Sequence, residues 1–308
     1  MTISKSAPEL GERLKTWARL FMEGLANKSP QNGERLFDEP FFGFAEGIDP
    51  IWPTFKDGVG ENSWTPKETF RRKFPNCGVT DDELTVAAIV CPQTAQTNVD
   101  QKKASGFPSE RWTRSRFLHS QVIWGLCDHL TSQLESEGLQ ALVPDRLEGF
   151  SQMPHPRFQI TSQWSHRHAA FAAGLGTFGL CDALITKVGK AHRLGSIIIR
   201  SRIPPTPRTY SGIYEYCLFH SSGTCGHCAR RCPVGALGPK GHNKILCSNF
   251  LDTTKLAIPK LWPDLDGAYG CGLCQSAVPC ATRRPQGSPR SQAAFSPQEP
   301  SSKLLPNN

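Results

Sequence analysis

Eight of the twelve cysteines in this 308-residue chain fall between residues 217 and 280, and no other feature narrows the possible folds as much. The first group reads Cys225-Gly-His-Cys228-Ala-Arg-Arg-Cys232-Pro233, with Cys217 eight residues upstream. The second reads Cys271-Gly-Leu-Cys274-Gln-Ser-Ala-Val-Pro-Cys280, and Cys247 lies between the groups. Cys77, Cys91, Cys127 and Cys181 are scattered singly. The chain opens with polar residues and then places Leu10, Leu14, Trp17, Leu20 and Phe21 at the spacing of an amphipathic helix. That is not the apolar block of an export signal, so a cytoplasmic protein is expected. Cytosolic thiols are kept reduced, which turns the expectation from disulfides to metal ligation.

Eight cysteines divide into two sets of four, the ligand demand of two [4Fe–4S] clusters. In the bacterial ferredoxin run, C-x2-C-x2-C-x3-C-P, the last cysteine binds the other cluster. Here the final spacings and the Cys-Pro step are intact, but Ser222 stands where the first cysteine would fall. Cys217 takes its place if residues 218–224 loop out, and Ser221-Ser222-Gly223 is flexible enough for that. The alternative is two structural zinc sites of four cysteines each, which also use C-x2-C pairs. The x3-Cys-Pro step argues for iron–sulfur. So does the small-residue run at residues 233–237, where the chain has to wrap a bulky group.

Four regions follow: residues 1–80, a helix and an irregular Pro/Gly/aromatic segment with one short helix at 66–74; 81–207, an α/β unit; 208–286, the cysteine-rich module; and 287–308, a disordered tail rich in Ser, Pro and Gln. A hydrophobic content of 38% is enough for sizeable cores in two of these regions. Within the second, residues 84–90 and 139–143 read as strands, as do 184–186 and 196–199 around a turn at Gly189. Ser109 caps a long helix running to Gly138, and residues 165–173 form a second helix rich in alanine. Pro204-Pro205-Thr206-Pro207 reads as a stiff linker. The overall expectation is an α+β protein. Gly174-Leu-Gly176-Thr-Phe-Gly179 matches the dinucleotide fingerprint, but that motif needs a strand before it and a helix after it, and here a helix comes first.

From residue 84 to Cys280 the chain resembles the cobalamin-dependent epoxyqueuosine reductases and their relatives among the reductive dehalogenases. The most specific part is the stretch from Arg167 to Gly179, followed by Leu184-Ile185-Thr186, a glycine turn at Gly189, Leu194-Gly195-Ser196 and the ferredoxin module. The resemblance implies one cluster on Cys217, Cys225, Cys228 and Cys280, and another on Cys232, Cys247, Cys271 and Cys274. It also implies an N-terminal corrinoid-binding domain, with base-off cobalamin over Arg167, Ala169, Ala173, Gly174, Gly176 and Gly179. Small residues suit the close approach of a flat macrocycle, and equally suit tight helix–sheet packing. The family carries a proton-donating Asp before the helix Arg, whereas residues 158–164 here contain no acid. His166 and His168 are the replacement candidates, since imidazole titrates near neutrality. Glu110 is the nearest acid by position, although an acid there also suits a helix N-terminus.

Two functions are compatible with these residues. One is an oxidoreductase in which an external low-potential donor, a ferredoxin or flavodoxin, feeds two clusters and a cobalamin that reduces an organic substrate. The other is a non-catalytic electron carrier or corrinoid-binding accessory protein. No apolar run reaches the ~18 residues of a membrane span, so no membrane partner is expected. The net charge of +8 describes either a solvated basic surface or one that meets a polyanion, such as a modified tRNA.

Overall fold

The computed structural model describes residues 7–286; the tail expected to be disordered, 287–308, lies outside the described residues. Helix α1 (Ala7–Glu23) buries Leu10, Leu14, Ala18 and Met22, a row spaced four residues apart that forms one helical stripe. Leu20 lies off that stripe and is exposed. The segment expected to be irregular contains strand β1 (Phe41–Glu46), α2 (Ile51–Val59) and α3 (Pro66–Lys73). Thr65 and Glu68 close a capping box at the start of α3, where Pro66 supplies the preset first-turn φ.

Next come β2 (Leu84–Pro92), α4 (Ala95–Lys103) and α5 (Glu110–Phe117). The Ser109 side chain accepts a hydrogen bond from Trp112 N, as the sequence suggests for a cap. The long helix expected from there is broken by a π-turn at Ser120–Trp124 before α6 (Gly125–Ser136). Strand β3 (Ala141–Leu142), the hairpin β4 (Gln152–His155) and β5 (Gln159–Ser162), and α7 (His166–Ala172) follow. A second hairpin joins β6 (Gly176–Phe178) to β7 (Leu184–Thr186), and β8 (His192–Arg200) completes the main sheet.

That sheet has the order β1-β2-β8-β3, and every neighbouring pair is antiparallel. The protein is α+β, as expected, but its N-terminal unit lacks the parallel strands that an α/β reading implies. Both faces are covered. Ala87, Ile89 and Cys91 of β2 join α1 and α6 in one core, while Val86 and Ala88 face α2, α3 and α7 in another. Burial on both faces explains why β2 is a continuous apolar run rather than an alternating one. The proline segment is not a free spacer. Thr206 N donates to Phe44 O at 2.9 Å and Phe44 N to Thr206 Oγ at 3.0 Å, so residues 204–207 run alongside β1.

The C-terminal part is built from short pieces: α8 (Leu218–Ser222), α9 (His227–Arg230), β9 (Leu237–Gly238) and β10 (Gly241–His242), then the longer α10 (Lys244–Leu261). Gln101 Nε2 donates to Cys271 O at 2.8 Å, and Lys190 N contacts Cys280 O at 3.0 Å, which ties this part to the sheet. No helix among the described residues is long and apolar enough to cross a membrane.

Candidate metal centre

Cys217, Cys225, Cys228 and Cys280 line one small cavity together with Lys190 and Val278. The chain reaches this arrangement by two local devices. Residues 218–222 wind into α8 and Gly223 closes it at φ 69°, so the long spacer after Cys217 is folded away as a helical turn. Ala277, at φ 52°, turns the chain inside the long spacer that precedes Cys280. Ser222, at the position of the missing cysteine, is engaged elsewhere: its hydroxyl donates to Leu218 O at 2.8 Å and lies 2.7 Å from Thr224 Oγ1.

Cys232, Cys247, Cys271 and Cys274 are the second expected set. Cys232 receives the Ala236 N–H on its sulfur at 3.2 Å, the wrap expected after the Cys-Pro step. Cys247 lies in the first turn of α10, capped by Asn243. Burial, with the nearby Cys247 and Cys232, pushes the Cys271 thiol up to about 11 against a backbone hydrogen bond from Leu273. Burial opposes charge on His242, but hydrogen bonds to Asp182 and Cys247 outweigh it and push the imidazole up to about 9. Gly272, between Cys271 and Cys274, has φ 67°, and the Trp112 indole lies 2.1 Å from where its Cβ would be. Only glycine admits that ring. Cys274 touches Cys181 and so stands at the boundary between the two sets.

Cys181 is the residue that sequence reasoning missed. Grouped with the scattered thiols, it instead lies buried with Cys217, Cys228, Cys232, Cys274 and Cys280. Lys190 Nζ donates to its sulfur at 3.2 Å. Hydrogen bonds from Cys228 and Cys274 and the Lys190 charge outweigh burial and hold the Cys181 thiol well below its ordinary value. Cys91 and Cys127 do belong to the ordinary core, where burial pushes Cys91 up to about 12.

His166 lies between two partners: Ser196 Oγ is 2.8 Å from Nδ1, and Asp145 Oδ2 is 3.0 Å from Nε2. Trp164 Nε1 donates to the same Ser196 oxygen, and Trp124 Nε1 to Asp145 Oδ2. Burial would raise the Asp145 carboxyl, but hydrogen bonding and charge from His166, with help from Trp124, hold it below the usual carboxylate range. Asp145 therefore stays ionised, and its other oxygen is buried without a partner. Sequence alone gave no sign of it, because it precedes His166 by some twenty residues and meets it only through the fold.

The other acid candidates stand differently. His168 packs between Phe55 and Phe178, with ring centroids 4.8 and 4.7 Å away, and burial and Arg167 push it down to about 3. That environment disfavours its charged form. Glu110 pairs with Arg114 one turn on, at 2.7 Å, and that arginine also reaches Asp264. Glu110 thus serves a helix terminus and an ion-pair network. Arg167 is exposed.

The small residues expected to carry a corrin are filled by the chain itself. Ala169 and Ala173 are fully buried against the sheet, and a Cβ on Gly43 of β1 would lie 2.2 Å from Ala173 O. Gly174 has φ 75°, and a Cβ on it would lie 2.9 and 2.8 Å from the Thr206 and Pro207 carbonyl oxygens; a Cβ on Gly176 would meet Ile185 O at 2.1 Å. Gly179 closes the β6–β7 hairpin through hydrogen bonds with Ala183 and Asp182. Their size serves helix–sheet and hairpin packing. Partnerless polar atoms instead gather near the end of the sheet: Gln93 Oε1 and Nε2, Asn98 Oδ1, His192 Nδ1 and Arg193 Nε. Burial, then Arg116 and Arg167, push Arg193 down to about 9, and its guanidinium lies over the Trp112 ring.

No family model and no curated protein matches the chain. Among solved structures, it superposes on epoxyqueuosine reductase in complex with an epoxyqueuosine-modified tRNA-Tyr stem loop with a TM-score of 0.50. The fold is that of epoxyqueuosine reductase. Identity is 19%, over 92% of this chain and 68% of that one. Epoxyqueuosine reductase from Bacillus subtilis gives 18% identity over 91% and 68%, with a TM-score of 0.48. A catabolic reductive dehalogenase gives 15% over 89% and 37%, also with 0.48. At these identities the likeness to epoxyqueuosine reductase is one of fold.

Proposed function

We propose that the chain is an iron–sulfur oxidoreductase of the epoxyqueuosine reductase type. It would take electrons from an external low-potential donor through two [4Fe–4S] clusters to a cobalamin that reduces an organic substrate. The observation that carries this reading is the convergence of Cys217, Cys225, Cys228 and Cys280 on one small cavity. Cys232, Cys247, Cys271 and Cys274 are assigned to the second cluster. When bound, the clusters supply one-electron transfer and the corrin supplies a reactive cobalt.

The chain's own residues divide the remaining work. Gln93, Asn98 and Arg193 have buried polar atoms in need of partners and suit the amide-bearing edge of a corrin. Ala169, Ala173, Gly174 and Gly176 support that region from behind. Asp145 and Ser196 fix the ring of His166 from either side, so His166 is the residue placed to exchange a proton with substrate. The net charge of +8 is compatible with a polyanionic substrate such as a modified tRNA.

One observation favours the second reading, a cluster-only electron carrier: the glycines expected to face the corrin face the protein's own backbone. Titrating hydroxocobalamin into anaerobic, reduced protein separates the two readings. Saturable binding, with multiple turnover of an epoxyqueuosine-containing stem loop that is lost in His166→Ala, supports the enzyme. Absence of any cobalamin affinity in protein that retains its iron leaves the carrier.

A further inference from the structure

Lys190 is 1% exposed, among the most deeply buried side chains of the protein. A buried ammonium requires a compensating negative charge, because its desolvation amounts to several kcal/mol. Among the described residues no carboxylate provides one. Its hydrogen bond goes to Cys181 Sγ at 3.2 Å. Its backbone is tied to the same place, with N contacting Cys280 O and Ala281 O at 3.0 Å each. The side chain also lines the cavity bounded by Cys217, Cys225, Cys228 and Cys280. Neutral thiols would leave the ammonium uncompensated, whereas four thiolates around an iron–sulfur core form a net anion.

We propose that Lys190 is a fixed positive charge set between the two cluster sites to make the cluster on Cys225 and Cys228 easier to reduce, with Cys181 as the acceptor that holds it there. The inference rests on the iron–sulfur reading. Reduction adds one electron to a site that is already negative, so a neighbouring cation stabilises the reduced form more than the oxidised one. Net charge and hydrogen bonding to the sulfurs are the terms that tune cluster potentials. Lys190 touches neither substrate nor cobalamin in this account; it is a positioning residue for electrons.

The test is a mediated redox titration of anaerobic, cluster-loaded, full-length protein, followed by the electron paramagnetic resonance of the reduced clusters. Iron content is measured on the same samples. In Lys190→Met the ratio of reduced to oxidised cluster at a fixed potential should fall at least tenfold, a downward shift of about 59 mV for a one-electron couple. In Cys181→Ala the ammonium loses its acceptor and turns to the cluster sulfurs, so the potential should rise. A purely structural role gives no such opposition of sign. Lys190→Met with full iron content and an unmoved potential overturns the proposal. If that variant fails to assemble its clusters, Cys181→Ala decides: a rise supports the proposal, and an unchanged or lowered potential overturns it. Wild-type protein without iron sinks the cluster reading itself, and this placement with it.

Discussion

The residues between Cys217 and Cys225 decide whether the first set has a fourth thiolate. Folded as α8, they bring Cys217 to the cavity and turn Ser222 back onto Leu218 O. Cys217→Ala should therefore lower the iron content of anaerobic protein or convert one cluster to a three-iron form, while Ser222→Ala should leave iron unchanged. The reverse pattern would make Ser222 the ligand. The cysteines were legible in the sequence because ligand chemistry fixes their spacing. Cys181, Lys190 and Asp145 were not, because each acquires its role from a partner in another element. Cys181 follows the β6 strand and meets Cys274 only when the cluster module folds onto the hairpin. His166 was visible as a candidate from its place before Arg167, but the carboxylate that orients it was not.

At the scale of elements, α7 with the β6–β7 hairpin is the most tightly specified unit. The Gly176 Cβ direction ends 2.1 Å from Ile185 O, in a backbone-to-backbone contact that cannot relax by a rotamer change. Gly176→Val should destabilise the protein by about 3 kcal/mol, in the range of severe overpacking, and lower its melting temperature together with its cluster content. A variant of unchanged stability that has lost only cobalamin affinity would restore the corrin-facing role of this glycine. Helices α1 and α7 were legible through an apolar stripe and an alanine-rich run, and α3 as a short helix at 66–74. Helix α4 was missed because its polar sequence has no apolar stripe and leaves Val99 exposed. Strand β1 was hidden because Pro40 and Gly43 read as breakers, although Gly43 is there to admit the end of α7. The continuous helix expected to Gly138 failed at the π-turn, which preserves apolar spacing on either side and so leaves no mark on periodicity.

Across the whole molecule, the two cores share one antiparallel sheet, and the cysteine module is fastened to its end. Reading residues 81–207 as an α/β unit left the strand pairing open, because pairing is set by non-local contacts that element order does not encode. Burial of neutral histidines has a consequence at this scale. Desolvation pushes His119 and His168 down to about 3 and His192 to about 4, whereas an unfolded histidine titrates near ~6.5. Between about pH 6.5 and 4 the unfolded chain then binds more protons than the folded one. Stability should fall as pH drops through that window, by up to about 1.4 kcal/mol per pH unit for each such group. His168→Phe, which keeps a ring between Phe55 and Phe178, should flatten the decline by about a third if the three contribute equally. An unchanged slope in that variant would remove His168 from the account.

The arrangement of the whole chain depends on what the eight cysteines hold. Iron and zinc per chain, determined together with the visible spectrum of anaerobically purified protein, test this most directly. The account predicts about eight irons, little zinc and the broad visible absorption of cubane clusters. About two zinc ions per chain with no visible band would contradict it.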